Sequence, residues 1–412
     1  MKYAIVIPDG AADLPLEELG GATPFEAAET PNLDRISLTG RQGTCATTPA
    51  GFSAGSDVCS MSLLGYSPAK YHTGRAPLEA AALRIPVTPD DWIFRCNLVT
   101  VDEEGRMLDH SAGHIGSPEG ARLLADLKKA AVEALGPMVE GMRFLPGVSY
   151  RNIIVDGSGR DYSKLVTTPP HDIPGLPIDK YLPRSCEAAK VLVGLINLSG
   201  ELFADHEINI ARREAGERQA THAWMWGQGR KPVVPSFRER FGLKGAMITA
   251  VDLLAGIADY IGFERLFVPG ITGLHDTNYA GKGQKGCEAL DEYDLVCVHV
   301  EAPDEAAHQS DFETKVAAIE AIDRHVIGPV LEKLQTFEEW RILVLPDHYT
   351  LCSTRKHDPT PVPFAIAGTR MTSVLQQEFS EKNANEADLH IEFGHDLMEY
   401  FLFSGGIPRP GK

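Results

Sequence analysis

Residues 293–302, YDLVCVHVEA, and residues 341–347, RILVLPD, each run from a β-branched apolar core into an acidic residue, and the segment of about 311–334 between them has a helical pattern. A short apolar run that ends in turn residues predicts a strand buried on both faces. Upstream, residues 249–262 (TAVDLLAGIADYIG) predict a helix, 265–270 (RLFVPG) a strand and 285–292 (KGCEALDE) a helix. Strand and helix alternating at this period predict an α/β fold, with a mostly parallel sheet covered by helices on both faces. The amino terminus adds one more strand of this kind, Tyr3 to Pro8, bounded by Asp9-Gly10.

In such sheets, functional groups collect at the carboxyl ends of the strands. Four separated pieces of the chain place reactive side chains at such ends or at the start of the next element. They are Asp9 in IPDG, Ser56 in GSDV, Asp304 and His308 in EAPDEAAH, and Asp347, His348 and His357 in LPDHYTLCSTRKHDPTPVPF. Three carboxylates, three imidazoles and one hydroxyl are the groups needed to hold two divalent cations around a phosphoryl group in transfer. Asp304 and His308 are spaced i,i+4, so on a helix both point to one face and can share a cation. Ser56 falls where a loop runs into a helix, a place where free backbone N–H groups receive an anion. Taken singly, each has an ordinary role: Asp9 a turn residue, Ser56 a helix cap, Asp304 and His308 a solvated helix pair, His357 a member of a Pro-rich turn.

Taken together, the order and spacing of these blocks resemble the cofactor-independent phosphoglycerate mutases of the archaeal-type branch, within the alkaline phosphatase superfamily. The resemblance runs from end to end, through MKYAIVIPDGAAD, TPNLD, GSDVCSMSLLGYSP, YHTGRAPLEAAA, WMWGQG, GLKGAMITAVDLLAGIA and DTNYAGKGQKG. It implies an alkaline-phosphatase-like sheet, with Asp304, His308 and His357 at one metal and Asp9, Ser56, Asp347 and His348 at a second. It also implies that Ser56 is the nucleophile, taking the phosphoryl group of 3-phosphoglycerate and returning it to the neighbouring hydroxyl of glycerate without a bisphosphoglycerate primer. A mixed Asp/His/Ser set suits Mn²⁺ best, with Zn²⁺ or Co²⁺ as alternatives and Mg²⁺ a weaker substitute. Relatives that use another acceptor remain the competing reading: a proposed homoserine kinase, a phosphopentomutase or a phosphatase. A regulatory protein that has lost its chemistry is disfavoured because all seven metal-site residues are present.

Residues of about 86–240 carry none of the ligand blocks. They read as strands WIFRCNLVTVD, RFLPG and YRNIIVDG, a helix over 119–135, the Pro-rich stretch 167–183 and a helix from about Ser185 to Leu198. The expectation is an inserted α+β domain over 86–240 and a discontinuous catalytic domain over 1–85 and 241–412. By resemblance the insert holds the phosphate and carboxylate of a small acid through His110, Arg151, His171 and Asp172, and Lys282 of the catalytic domain faces the same ligand. Arg75 lies near Ser56 in sequence, either neutralising a phosphoserine or anchoring its own loop, and WMWGQG, with Trp224 and Trp226, reads as a packed hinge or domain contact rather than a ligand stack. Ala307 and Leu351 depart from the family's usual glycine and proline, which leaves the shape of the loop to His357 and the acceptor open.

The 412 residues, 43% of them hydrophobic, are enough for about two domains with large cores. A formal charge of −18, from 57 acidic and 39 basic residues, repels nucleic acid. Seven cysteines without a CxxC pair fit reduced thiols in the cytoplasm. No apolar stretch reaches membrane length, and a homo-oligomer is compatible with everything above.

Overall fold

The computed structural model describes residues 1–409. The chain opens with β1 (Lys2–Pro8) and β2 (Arg41–Cys45), then builds a separate group of strands: β3 (Trp92–Val101), β4 (Met107–Asp109), β5 (Met142–Leu145), β6 (Arg151–Asp156) and β7 (His222–Arg230). It returns with β8 (Gly245–Ile248), β9 (Glu264–Arg265), β10 (Leu295–Val300) and β11 (Trp340–Val344). The hairpin β12 (Tyr349–Leu351) and β13 (Lys356–Asp358) follows, and then β14 (Val362–Gly368) and β15 (His390–Ile391). Two compact units result, one of Met1–His72 with Val234–Lys412 and one of Thr73–Val233.

The first unit is built on an eight-stranded sheet in the order β15-β2-β14-β11-β1-β10-β8-β9, in which only β14 runs against the rest. At its centre β1 is paired in parallel with β10 on one side and β11 on the other. Ala4 to Ile7 are wholly buried, as a strand covered on both faces requires. Three neighbouring strands, β11, β1 and β10, therefore deliver their carboxyl ends side by side.

The second unit is an antiparallel sheet in which β3 lies between β6 and β7, backed by helices Ser117–Leu135 and Ala189–Ala204. Helix Arg75–Ala82, placed by sequence with the catalytic segments, groups here instead. Ala76 and Ala80 pack on Ile93, Ile153 and Val155, and Glu79 pairs with Arg95 at 2.9 Å. WMWGQG is packed, as expected, but as the middle of β7, where Trp224 is fully buried, rather than as a hinge.

Three further expectations shift. The strand expected over 265–270 is limited to Glu264–Arg265, an edge strand that ends before an exposed Phe267 and Pro269, which has no N–H to offer a ladder. The helix expected from Ser185 starts at Ala189, because Ser185 holds a φ of 77°, and it runs on to Ala204 because Ser199 and Phe203 continue the buried face. The helical run ending at Leu334 is interrupted by a π turn at Asp323–Ile327, where the Asp323 carboxylate accepts from the backbone N–H groups of Asn32 and Leu33. No helix among the described residues is long and apolar enough to cross a membrane.

Candidate active site

Asp9 follows β1, Asp304 and His308 lie on helix Ala302–His308 directly after β10, and Asp347-His348 follow β11. His357 comes back on β13, opposite Thr350. Ser56 is the first residue of helix Ser56–Leu63, with Gly55 at its cap. Chain order alone separates these residues, and the sheet brings them together.

They gather as two groups: Asp304 with His308 and His357, and Asp9 with Asp347 and His348. In the first, the Nε2 atoms of His308 and His357 stand 3.0 Å apart and lie 3.2 and 3.4 Å from opposite oxygens of Asp304. In the second, His348 Nε2 lies 3.5 Å from both Asp9 Oδ1 and Asp347 Oδ2. The His348 and His357 rings stack at 4.0 Å, so the groups adjoin. Ser56 Oγ belongs with the second group, 3.4 Å from Asp9 Oδ2 and 3.3 Å from His348 Nε2.

These residues fit divalent cations. Asp9 Oδ1 is buried without a hydrogen-bond partner, a state that is costly unless something positive occupies the space it faces. Burial, together with the charges of Asp347 and Asp304, pushes Asp9 well above the ordinary carboxylate range. Burial also works to raise Asp304, but hydrogen bonds from His308 and His357 hold it well below that range. The same contact raises His308 to about 9, whereas burial lowers His348. A cluster whose carboxylates and imidazoles compete for protons in this way is relieved by cations that bind oxygen and nitrogen together.

Two supporting residues gave little sign in the sequence. His299, fully buried near the end of β10, contacts Asp9 Oδ2 through Nε2 at 2.9 Å and Thr249 Oγ1 through Nδ1 at 3.1 Å. Burial pushes it down to about 3, so it is a neutral ring that fixes Asp9. A lone histidine in the otherwise apolar run LVCVHV was the available signal. Thr350, whose hydroxyl touches Asp304 and His348, had none. Gly10, at a φ of 60°, has no room for a side chain: a Cβ there would stand 2.5 Å from Asp304 Oδ1 and 2.6 Å from Thr350 Oγ1.

Of the expected substrate contacts, Lys282 is fully buried and its ammonium donates to the His299 carbonyl at 2.9 Å. That side chain braces the strand behind Asp9 rather than meeting solvent. The other four lie in the second unit. His110 packs edge-on to His171 and Tyr150, and His171 packs on Trp226. Arg151 lies over the ring of Tyr150, and His171 and Asp172 approach at 3.7 Å. Sequence reading overlooked Arg95, stacked 4.0 Å from the Trp226 ring, with its Nε buried and unpartnered. Burial lowers both His171 and Arg95, and the positive charge of Arg75 acts on each in the same direction. Arg95 thus lies within the field of both Arg75 and Arg151.

The sequence model for 2,3-bisphosphoglycerate-independent phosphoglycerate mutase matches residues 38–209. A 2,3-bisphosphoglycerate-independent phosphoglycerate mutase of Methanothrix thermoacetophila is 47% identical over 98% of this chain and 100% of its own. One of two such enzymes of Methanothermobacter thermautotrophicus is 44% identical over 98% and 97%. Among solved structures, a protein of Pyrococcus horikoshii superposes with a TM-score of 0.81 at 28% identity, covering 97% of this chain and 96% of its own. The cofactor-independent phosphoglycerate mutase of Thermoplasma acidophilum gives 0.67 at 26% identity, covering 98% and 100%.

Proposed function

The chain belongs to the 2,3-bisphosphoglycerate-independent phosphoglycerate mutases, and from that premise we propose that Ser56 carries the phosphoryl group between the 3- and 2-hydroxyls of glycerate at a two-cation site. The protein is an isomerase that interconverts 3-phosphoglycerate and 2-phosphoglycerate. The observation that carries the serine assignment is the seat of its hydroxyl, within 3.4 Å of Asp9 and His348 at the amino end of a helix.

Asp304, His308 and His357 would hold one cation, and Asp9, Asp347 and His348 with Ser56 the other. Bound there, the cations neutralise phosphoryl oxygens and acidify the serine hydroxyl. Of the candidate ions Mn²⁺ suits the mixed oxygen and nitrogen donors best. Ser56 Oγ loses its proton and bonds to phosphorus while the bond to the 3-oxygen of the acid breaks. That oxygen takes up a proton, leaving glycerate and a phosphoserine. After glycerate turns over, its 2-hydroxyl attacks phosphorus, the serine oxygen leaves, and the serine regains its proton. Atoms balance without a second phosphate donor. The positive end of the helix that begins at Ser56 favours the dianionic phosphoserine.

Glycerate must be retained between the two transfers, and a carboxylate held by a fixed guanidinium with neutral imidazole N–H donors beside it achieves this. The groups proposed for it are Arg151, His110 and His171, with Arg95 and Arg75 contributing positive potential and Asp172 orienting His171. Replacing Arg151 by Glu is expected to lower kcat/KM by about 10–100-fold, the equivalent of about one charge-assisted hydrogen bond. Because Arg151 is exposed, the fold should change by no more than about 0.5 kcal/mol. Wild-type kinetics in this variant would move the acid-binding site elsewhere.

The substrate assignment is tested by assaying the Mn²⁺-supplemented protein on 3-phosphoglycerate, phosphohomoserine and ribose phosphates. Preference for 3-phosphoglycerate by orders of magnitude is expected. Transfer involving homoserine or a pentose phosphate instead would overturn the choice of acceptor. We place this activity in the cytoplasm, in keeping with seven cysteines that are all free thiols.

A further inference from the structure

Thr350 is fully buried on β12. Its hydroxyl lies 2.5 Å from Asp304 Oδ1 and 3.1 Å from His348 Nδ1, so it touches one member of each cation group. A hydroxyl has a single proton to give. Given to the Asp304 carboxylate, it leaves the Thr350 oxygen to accept from His348 Nδ1–H. The Tyr349 carbonyl, 3.3 Å from the same Nδ1, can only accept and so requires the same tautomer. With the proton on Nδ1, the lone pair of His348 is on Nε2, the atom that faces Ser56, Asp9 and Asp347.

The backbone of Thr350 is fixed in turn. Its N–H donates to the Ala12 carbonyl at 3.2 Å, and its carbonyl accepts from the buried Lys315 ammonium at 2.7 Å. Lys315 also donates to Asp13 Oδ2 at 2.9 Å, so the hydroxyl is held by the same segment that carries Asp9. We infer that Thr350 is a positioning residue that orients one ligand of each cation group through a single hydroxyl, so that both sites depend on it. The inference rests on the two-cation reading above.

The test is a calorimetric Mn²⁺ titration of the full chain in two backgrounds. His308→Ala leaves the Asp9 group complete, and Asp9→Asn leaves the Asp304 group complete. Adding Thr350→Val to each should weaken the remaining site by about 10–100-fold, the usual effect of losing a partner that orients a ligand. Thr350→Ser, which keeps the hydroxyl, should return most of the affinity. Thr350→Ala carries the same expectation as valine if valine is not accommodated, and melting of the metal-free variants checks folding. Weakening in one background only, or in neither, would overturn the inference. So would a serine variant as weak as valine, since packing of the methyl group would then be responsible. Failure of the parent backgrounds to take up Mn²⁺ would instead contradict the two-cation reading itself.

Discussion

Ser56→Ala is expected to reduce mutase turnover by roughly 10⁴-fold or more, the scale seen when a covalent nucleophile is removed. Fold should be spared. Among the described residues the hydroxyl makes two long contacts, 3.3 and 3.4 Å, so stability should change by less than about 1 kcal/mol. Divalent cations should still bind, because Asp9, Asp347 and His348 remain. A steady-state assay with a melting curve separates the two effects. Substantial residual turnover would mean that phosphoryl transfer does not pass through this serine.

Removing the cations is the second large effect. Exhaustive chelation should bring activity to background and Mn²⁺ should restore it, while activity falls below about pH 6 as imidazoles protonate and leave the metal. The metal-free protein adds a sharper signature. Asp304 holds His308 charged up to about 9, and a cation needs that imidazole neutral. Loading at about pH 7.5 should therefore expel a proton from this group, visible as a buffer-dependent heat, and affinity should rise with pH until about 9. His348, already lowered by burial, contributes no such proton. Stability follows with a definite sign. His308 and Asp9 both have raised folded values, so their contribution to the metal-free fold is lost as pH rises through those values. The melting temperature of the metal-free protein should drop between about pH 6 and 9.5, and cations should remove that drop. Full activity in protein shown by elemental analysis to be metal-free would contradict this account.

The parallel sheet was legible because its strands advertise themselves: runs such as AIVI and ILVL are apolar throughout, as strands covered on both faces must be. The ligands were legible for a related reason, since they follow those runs directly and the sheet does the rest. The residues around them were harder to see. His299 and Lys282 work from inside the fold, and their roles depend on which neighbour faces a ring nitrogen or a carbonyl, a matter of register rather than of residue type. Thr350 acts through one hydroxyl placed by strand pairing. Arg95 sits in an unremarkable strand, and only the opposing β7 shows that Trp226 covers it. Helix Arg75–Ala82 groups with the second unit although the change of pattern comes only near residue 86, because residue type does not show which sheet an alanine face will pack on.

Between the two transfers the phosphoryl group is expected to rest on Ser56. Mixing the Mn²⁺-loaded protein with 3-phosphoglycerate, quenching in acid within a turnover and mapping the modified peptide by mass spectrometry shows whether it does. One added phosphoryl group is expected, on Ser56 of the peptide containing GSDV, and it should disappear when glycerate is supplied before the quench. Phosphate found on another residue, or turnover with none of the protein phosphorylated at any time, would contradict that expectation.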